Sequence, residues 1–342
     1  MEVCAATDID SGLYDAFVCA QPDATIYHTR AWGRALCAGF GFDDCSLVAV
    51  SDGTLVGALP LMRRRNLLGR SEVVSLPFSH LVPLLVPDVA AMPVLIGRAR
   101  QVATNLIVRH SAPICESGRL VETPNRDFWL DLSGGYGATI RHFSSMARRA
   151  VRKASATGVS VSVDNSSGAV ACFHRLMVAT RQRQGVPIYP RRFFEGLRDE
   201  LPRQSSELWL ARLGGRVISG IWILRFRDRA LYAYGASTTD RDALRARPNN
   251  LLFDRIVEAL CEQGVSRLDL GSAHITNAGL IAFKESLGAQ SVPIEYRVWP
   301  EKRALRSVAR NGAPFQLVSA ALRRMPQPLY RGISSKLIKS LG

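Results

Sequence analysis

The sequence predicts two similar α/β lobes in tandem, and three observations predict it. The chain has 342 residues, enough for two domains of ordinary size. One hairpin pattern occurs twice, and helix-to-strand units surround each copy. The first copy is SLVAVSDGTLVGALPLMRR, residues 46–64, and the second is ELWLARLGGRVISGIWILRF, residues 207–226. Each is an apolar run, a two-residue turn and a second apolar run. The turns, Asp52-Gly53 and Gly214-Gly215, suit hairpins whose two central residues need φ > 0. A small residue, Gly57 or Ser219, stands four positions past each turn. A further short strand follows each hairpin, at 71–78 and 230–237.

Helical periodicity places helices over 28–37 and 94–110 in the first half, and over 170–184 and 191–200 in the second. The clearest helix-to-strand unit is NNLLFDRIVEALCEQGVSRLDLG, from Asn249 to Gly271. Leu251, Leu252, Ile256, Ala259 and Leu260 share one helical face, Gly264 ends the helix, and VSRLDLG follows as a strand. Small and polar residues gather in 154–168, which marks the expected seam between lobes. The expected boundaries are therefore 1–153, 154–299 and a tail at 300–342.

Composition narrows the class. With 47% hydrophobic and 21% charged residues, the chain reads as globular and not disordered. Its start has no basic region before an apolar core, so no signal peptide is expected. The most apolar stretch, 81–97, is interrupted by Pro83, Pro87, Asp88 and Pro93 and is too short to span a bilayer. Seven scattered cysteines, without C-x-x-C or a Cys/His cluster, fit reduced thiols in a cytoplasmic protein; no metal site is expected.

The net charge of +15 predicts an anionic partner: RNA, acidic lipid or a phosphorylated substrate. The excess is concentrated in Arg63–Arg65 with Arg70, in 141–153, and in the tail, where 301–342 hold nine Lys/Arg against Glu301. The tail also carries two apolar helical stripes. Phe315, Leu317, Val318, Ala321, Leu322 and Met325 form one, expected to pack on the first lobe. Ile333, Leu337, Ile338 and Leu341 form the other, expected to contact an anionic membrane surface.

Several segments in order resemble the Fem family of peptidyl and aminoacyl transferases. HTRAW (28–32), the DGTLVGALPL hairpin and VVSLPF (73–78) resemble the first lobe of that family. RRAVRKASATGVSV (148–161) resembles its linker, and RQGVPIYPRRFF, YAYGAS, PNNLLFDRIVEA, LDLGS and GLIAFKESLGA follow at fitting spacings. The resemblance covers roughly residues 25–299. It implies two tandem GNAT-like lobes, each a mixed, mostly antiparallel sheet flanked by helices, with the second lobe catalytic. The implied activity is transfer of an aminoacyl group from aminoacyl-tRNA to an amine. The acceptor would be a peptidoglycan-type, exopolysaccharide or natural-product precursor, small or lipid-linked.

The stretch TDRDALRARPNN, 239–250, departs from the usual acyl-CoA pattern, because it has no glycine to form a pyrophosphate loop. Together with the charge this favours tRNA over acyl-CoA as donor, with no separate cofactor and no DNA partner. The alternatives are an acyl-CoA-dependent N-acyltransferase and a non-catalytic, membrane-associated polysaccharide assembly factor. The expected location is cytoplasmic, with peripheral contact at the inner face of the membrane.

No G-x-S-x-G, H-E-x-x-H or P-loop is present, as suits aminolysis of an already activated acyl group. The resemblance sets Lys284 beside the reacting ester or donor phosphate, with Phe283 either a stacking platform or core. It sets Arg148, Arg149, Arg152 and Lys153 at the lobe junction, where phosphate would pass. Arg181, Tyr189 and Arg191 bracket the VPIYP segment and are candidates for the acceptor cleft. Asp269, at a strand end, could take the amine's proton or only cap backbone. Tyr234 sits on a central strand, and Asn249 and Asn250, just after Pro248, are expected to cap the second-lobe helix, where an anion could bind. His80, in the SLPFSH loop, is the first-lobe candidate.

Overall fold

The computed structural model describes residues 1–65, 69–80, 82–103, 105–109, 119–299 and 313–340. The chain forms two compact units. The first comprises Met1–Thr123, Pro293–Arg310 and Ser335–Gly342; the second comprises Pro124–Val292 and Asn311–Ser334. The division after Thr123 lies upstream of the expected seam at 154–168. That stretch instead ends a helix and begins an edge strand inside the second unit, and Ala154 is fully buried there. Small residues mark a tight helix-to-strand turn at Gly158, φ +78°, and not a linker.

In the first unit, β1 (Glu2–Ala5) precedes α1 (Ser11–Ala20), whose N-terminal amides of Gly12 and Leu13 donate to the Asp10 carboxylate. Next comes α2 (Arg30–Phe40), capped by Thr29 and closed by Gly41 in the left-handed region. After β2 (Asp43–Asp44), β3 (Leu47–Ser51) and β4 (Thr54–Leu59) form the first expected hairpin. Asp52 and Gly53 have φ of 49° and 75°, as its turn requires. β1, β3 and β4 make one antiparallel sheet. β5 (Met62–Arg65) pairs antiparallel with β6 (Ser71–Val74). Then α3 (Ala91–Val102) crosses over to β7 (Leu106–Val108), parallel to β6. The expected helix over 94–110 is thus two elements. Its β-branched end, Ile107-Val108, joins the sheet, where both side chains are buried; His110 lies outside the described residues.

In the second unit, β8 (Arg119–Asp131) enters at Pro124 and leads to α4 (Gly135–His142) and α5 (Ser145–Ala156). β9 (Ser160–Val163), α6 (Ser167–Gln184) and α7 (Arg191–Asp199) follow. β10 (Ser206–Leu213) and β11 (Arg216–Phe226) form the second hairpin, with φ of 56° and 75° at Gly214 and Gly215. β12 (Arg229–Ser237) completes an antiparallel run β9-β10-β11-β12. The crossover goes through α8 (Arg241–Arg245) and α9 (Pro248–Glu262) to β13 (Arg267–His274), which lies parallel to β12 and antiparallel to β8. α10 (Ala278–Ser286) follows. β14 (Gln290–Trp299) then returns to the first unit, where 297–299 pair with β7. The chain ends in α11 (Ala313–Arg324) and α12 (Gln327–Leu337).

Each unit therefore holds antiparallel strands joined to one parallel strand by a helical crossover, β6-α3-β7 and β12-α9-β13. The repeat extends to irregularities. In β3–β4, Ala49 pairs with Gly57 and Val50 with Leu55, so Val56 is an extra residue. In β10–β11, Ala211 pairs with Ser219 and Arg212 with Val217, so Ile218 is extra in the same way. Among the described residues no helix is long and apolar enough to cross a membrane.

Candidate functional site

The second unit opens where its parallel strands part. β12 and β13 pair over only three positions, Arg229 with Arg267, Ala230 with Leu268 and Leu231 with Asp269. Beyond Leu231, β12 stays on β11 as far as Ser237, while β13 stays on β8 as far as His274. Two irregularities turn the strands away from each other. On β12, Tyr232 and Tyr234 pair with consecutive residues of β11, leaving Ala233 as a bulge. On β13, Leu270 is extra and Gly271 takes φ +68°. The gap lies at the carboxyl ends of two parallel strands, a general ligand position in α/β sheets. A cavity of about 260 Å³ fills it.

β12 supplies Tyr232, Gly235 and Ser237 to the cavity, and β13 supplies Leu270. The last turn of α6 adds Thr180, Arg183 and Gln184; α9 adds Asn249 and Phe253; α10 adds Leu280, Phe283 and Lys284. Gly235 is needed because a Cβ there would overlap the Tyr232 hydroxyl.

Lys284 is 3% exposed and reaches from α10 into the β13 bulge. Its Nζ donates to the carbonyls of Gly271 (2.7 Å) and Ser272 (3.2 Å), and lies 4.8 Å from the centre of the Phe128 ring. Burial pushes its pKa down to about 8, against the opposing charges of Asp269 and Asp127. The ammonium is thus held rigidly, with little water around it, at the cavity wall.

Asn249 is fixed from its other side. Its Oδ1 accepts from Ser219 Oγ at 2.5 Å and Ser237 Oγ at 3.1 Å. The amide is assigned with its oxygen toward the two hydroxyls, since the shorter distance suits O–H···O; Ser219 Oγ also lies 3.1 Å from the Ala236 carbonyl. Ser237 is held in turn by Thr180, whose Oγ1 donates to the Ser237 carbonyl (3.0 Å) and accepts from its N–H (3.1 Å). Asn249 Nδ2 has no hydrogen-bond partner among the described residues, and its residue lines the cavity. An oriented amide donor and a fixed ammonium thus border one space, an arrangement suited to a carbonyl oxygen that gains negative charge.

Of the expected site residues, the structure brings Lys284, Phe283 and Asn249 to this cavity. Phe283 packs edge-on to Phe253 with ring centres 5.5 Å apart. Asp269 does not line the cavity; its Oδ1 accepts from Gly271 N at 2.6 Å and braces the bulge, and its charge acts on Lys284. Tyr189 and Tyr234 pack against each other, ring centres 5.0 Å apart, within a cluster holding Phe193 and Phe194. Arg181 stacks over Tyr189 at 4.6 Å and donates to the Pro187 carbonyl, so it locks the VPIYP segment. These three do not line the cavity. Arg191 pairs with Glu195 on an exposed turn of α7. Arg148 donates to the carbonyls of Arg141 and Phe143, whereas Arg149, Arg152 and Lys153 are exposed on α5. His80 belongs to the first unit, where Nδ1 bonds Tyr27 OH at 3.0 Å and its carbonyl accepts from Tyr296 OH.

Sequence reasoning missed Ser237, Thr180, Tyr232 and Gly235, and noted Ser219 only as a small residue. The repeat held the signal for Ser219. Gly57, its counterpart, sits beneath the first turns of α3, where a Cβ would come within 2.9 Å of Leu95 and 3.1 Å of Ala91. Ser219 lies beneath the first turn of α9. The same position is sealed by aliphatic contact in one unit and carries a hydroxyl beside a cavity in the other.

The stretch 239–250 forms α8 and the start of α9. Asp240 caps α8, its Oδ1 accepting from Asp242 N and Ala243 N, while its other oxygen pairs with Arg216. As a cap the carboxylate serves α8 alone; α9 begins at Pro248 with no side-chain cap.

Residues 141–284 match the acetyltransferase (GNAT) domain family. A GNAT domain thus spans most of the second unit, and the fold around it is that of GNAT-type acyltransferases. The fold is similar to that of FemX, with a TM-score of 0.67 and 16% identity over 98% of this chain and 100% of that one. It is similar to L-PGS from Bacillus licheniformis, with a TM-score of 0.58 and 13% identity over 92% of this chain and 98% of that one. It is also similar to a tandem GNAT protein from the clavulanic acid biosynthesis pathway, with a TM-score of 0.50 and 15% identity over 87% and 96% of the two chains. No curated protein matches the chain.

Proposed function

We propose that the protein is an N-acyltransferase that forms an amide, taking an aminoacyl group from aminoacyl-tRNA. The observation that carries this reading is the cavity between β12 and β13, bordered by the fixed Lys284 ammonium and the oriented Asn249 amide. The acyl carbonyl enters the strand gap, and the acceptor amine attacks its carbon. The C–N bond forms, the C–O bond to the donor breaks, and the amine's proton leaves with the departing oxygen. Lys284 and Asn249 stabilise the oxyanion between these events, a contribution of about 3–4 kcal/mol for a well-placed donor.

Two features support tRNA as donor: the net charge of +15, and the stretch 239–250, which has no glycine to form a pyrophosphate loop. The exposed cations of α5 fit the same reading as phosphate contacts. The acceptor is an amine on a small or lipid-linked molecule, met in the cytoplasm or peripherally at the membrane's inner face. A second reading, acyl-CoA as donor, is favoured by the acetyltransferase family that residues 141–284 match.

Salt dependence separates the two. Charged tRNA should bind with a log–log slope of about −3 or steeper against salt, since several phosphates are neutralised. Tight, salt-insensitive binding of acetyl-CoA without tRNA affinity transfers the proposal to the second reading.

A further inference from the structure

The two C-terminal helices turn one side inward and leave the other bare. On α11, Ser319 and Leu322 are buried; on α12, Tyr330 and Ser334 are. The inward side is bolted to the end of α6. Tyr330 OH donates to the Val186 carbonyl at 2.6 Å, and Gln182 Nε2 donates to the Met325 carbonyl at 2.6 Å. Gly185 lies so close to Ser319 that it has no room for a Cβ. The helices are therefore seated, and what they expose is a fixed face.

That face is unusual for a water-facing surface. Leu317 is 74% exposed, Leu329 60%, Val318 49% and Ile333 41%. Arg324 and Arg331 are exposed on the same two helices, whereas Arg323 turns to α6 and donates to the Gln184 carbonyl at 3.4 Å; residues 313–340 contain no acid at all. The sequence assigned the first stripe to packing on the first lobe and the second to a membrane; α11 packs instead on α6, within the second unit. The structure divides each stripe: Leu322 and Ile338 go inward, while Leu317, Val318 and Ile333 stay out.

We propose that the outward face of α11 and α12 docks on an anionic bilayer surface. The four aliphatic side chains enter the boundary between headgroups and acyl chains, and Arg324 and Arg331 meet lipid phosphate. The arginines alone would suit RNA equally well. The exposed aliphatic groups decide between them, because branched alkyl chains gain little from a polyanion and much from leaving water. The seat on α6 adds a consequence: its last turn, Arg183 and Gln184, also lines the cavity. A bilayer-docked face and the cavity wall thus share one helical turn. This inference stands apart from the donor assignment, so either can fail alone.

Flotation with vesicles tests it on the full chain. Vesicles of phosphatidylcholine with about 30% phosphatidylglycerol, at about 50 mM salt, should carry the protein, and pure phosphatidylcholine should carry little. The combined Leu317→Ser, Leu329→Ser and Ile333→Ser variant should lose about tenfold or more of that partitioning, with an unchanged melting transition and unchanged tRNA binding. The single variants Leu317→Ser and Leu329→Ser provide the same readout should the triple melt early. The combined Arg324→Gln and Arg331→Gln variant should also float poorly. Failure of the wild type to float with anionic vesicles overturns the proposal. So does an aliphatic variant that floats as well as the wild type, or an arginine variant that loses tRNA binding and keeps vesicle binding.

Discussion

Ser219 Oγ stands 2.5 Å from Asn249 Oδ1, and this contact joins the hairpin β10–β11 to the first turn of the crossover helix α9. It consumes the acceptor end of the Asn249 amide and leaves the donor end for the cavity. A helix-capping asparagine would instead use its oxygen on its own helix's amides, and no such bond is formed by Asn249 among the described residues.

This relationship predicts an asymmetric response to substitution. Asn249→Asp keeps an oxygen for Ser219 and Ser237 but replaces the donor with a second acceptor. Its melting temperature should stay near the wild type, helped by a carboxylate at a helix N-terminus. Its turnover should fall about 100-fold. Turnover within about threefold of the wild type would make Asn249 a purely structural link.

Lys284 makes a pH prediction whose sign can be worked out. Its folded pKa is pushed down to about 8 from an ordinary 10.5. Below about 8 it is charged in both folded and unfolded chains, so the folded state carries the full cost of a buried ammonium. Between about 8 and 10.5 the unfolded chain binds more protons, and stability rises with pH. Relative to Lys284→Met, the wild type should gain about 3 kcal/mol across that window, read from denaturation at several pH values. Activity should run the other way. If the ammonium stabilises the oxyanion, turnover falls about tenfold per pH unit above about 8, and Lys284→Met turns over about 100-fold more slowly at neutral pH. A flat profile through this range would remove Lys284 from the chemistry.

Gly185 predicts a stability effect remote from catalysis. It adopts φ +69° at the end of α6 and lies against Ser319 of α11. Gly185→Ala combines backbone strain with overpacking and should cost about 2–4 kcal/mol in chemical denaturation. A cost under about 1 kcal/mol would mean that α11 is not seated as described.

The sequence made some of this legible for clear physical reasons. Asp52-Gly53 and Gly214-Gly215 announce their turns because only such residues tolerate the backbone there, and α9 is visible through its apolar period and Gly264. The tail was misread because helical periodicity finds apolar stripes without saying which side the protein covers. Leu317 and Leu322 look alike in sequence, and only the seat on α6 separates them. Tyr189 and Arg181 suggested a cleft by residue type, yet an aromatic cluster claims both. The hydroxyl chain Thr180–Ser237–Ser219 was invisible because its members are 57 and 18 positions apart and meet only once the sheet forms.

Transfer of an aminoacyl group from tRNA to an amine, in the strand gap between β12 and β13, is open to direct assay. The purified protein is incubated with a radiolabelled pool of aminoacyl-tRNAs and amine acceptors, beside a parallel reaction with acetyl-CoA. Label recovered in an amide and resistant to mild base is the readout, with Lys284→Met and Asn249→Asp as controls. The expected result is amide product that requires charged tRNA and falls about 100-fold in both variants. Amide formed from acetyl-CoA alone, or tRNA-dependent product undiminished in both variants, would contradict the proposed transfer.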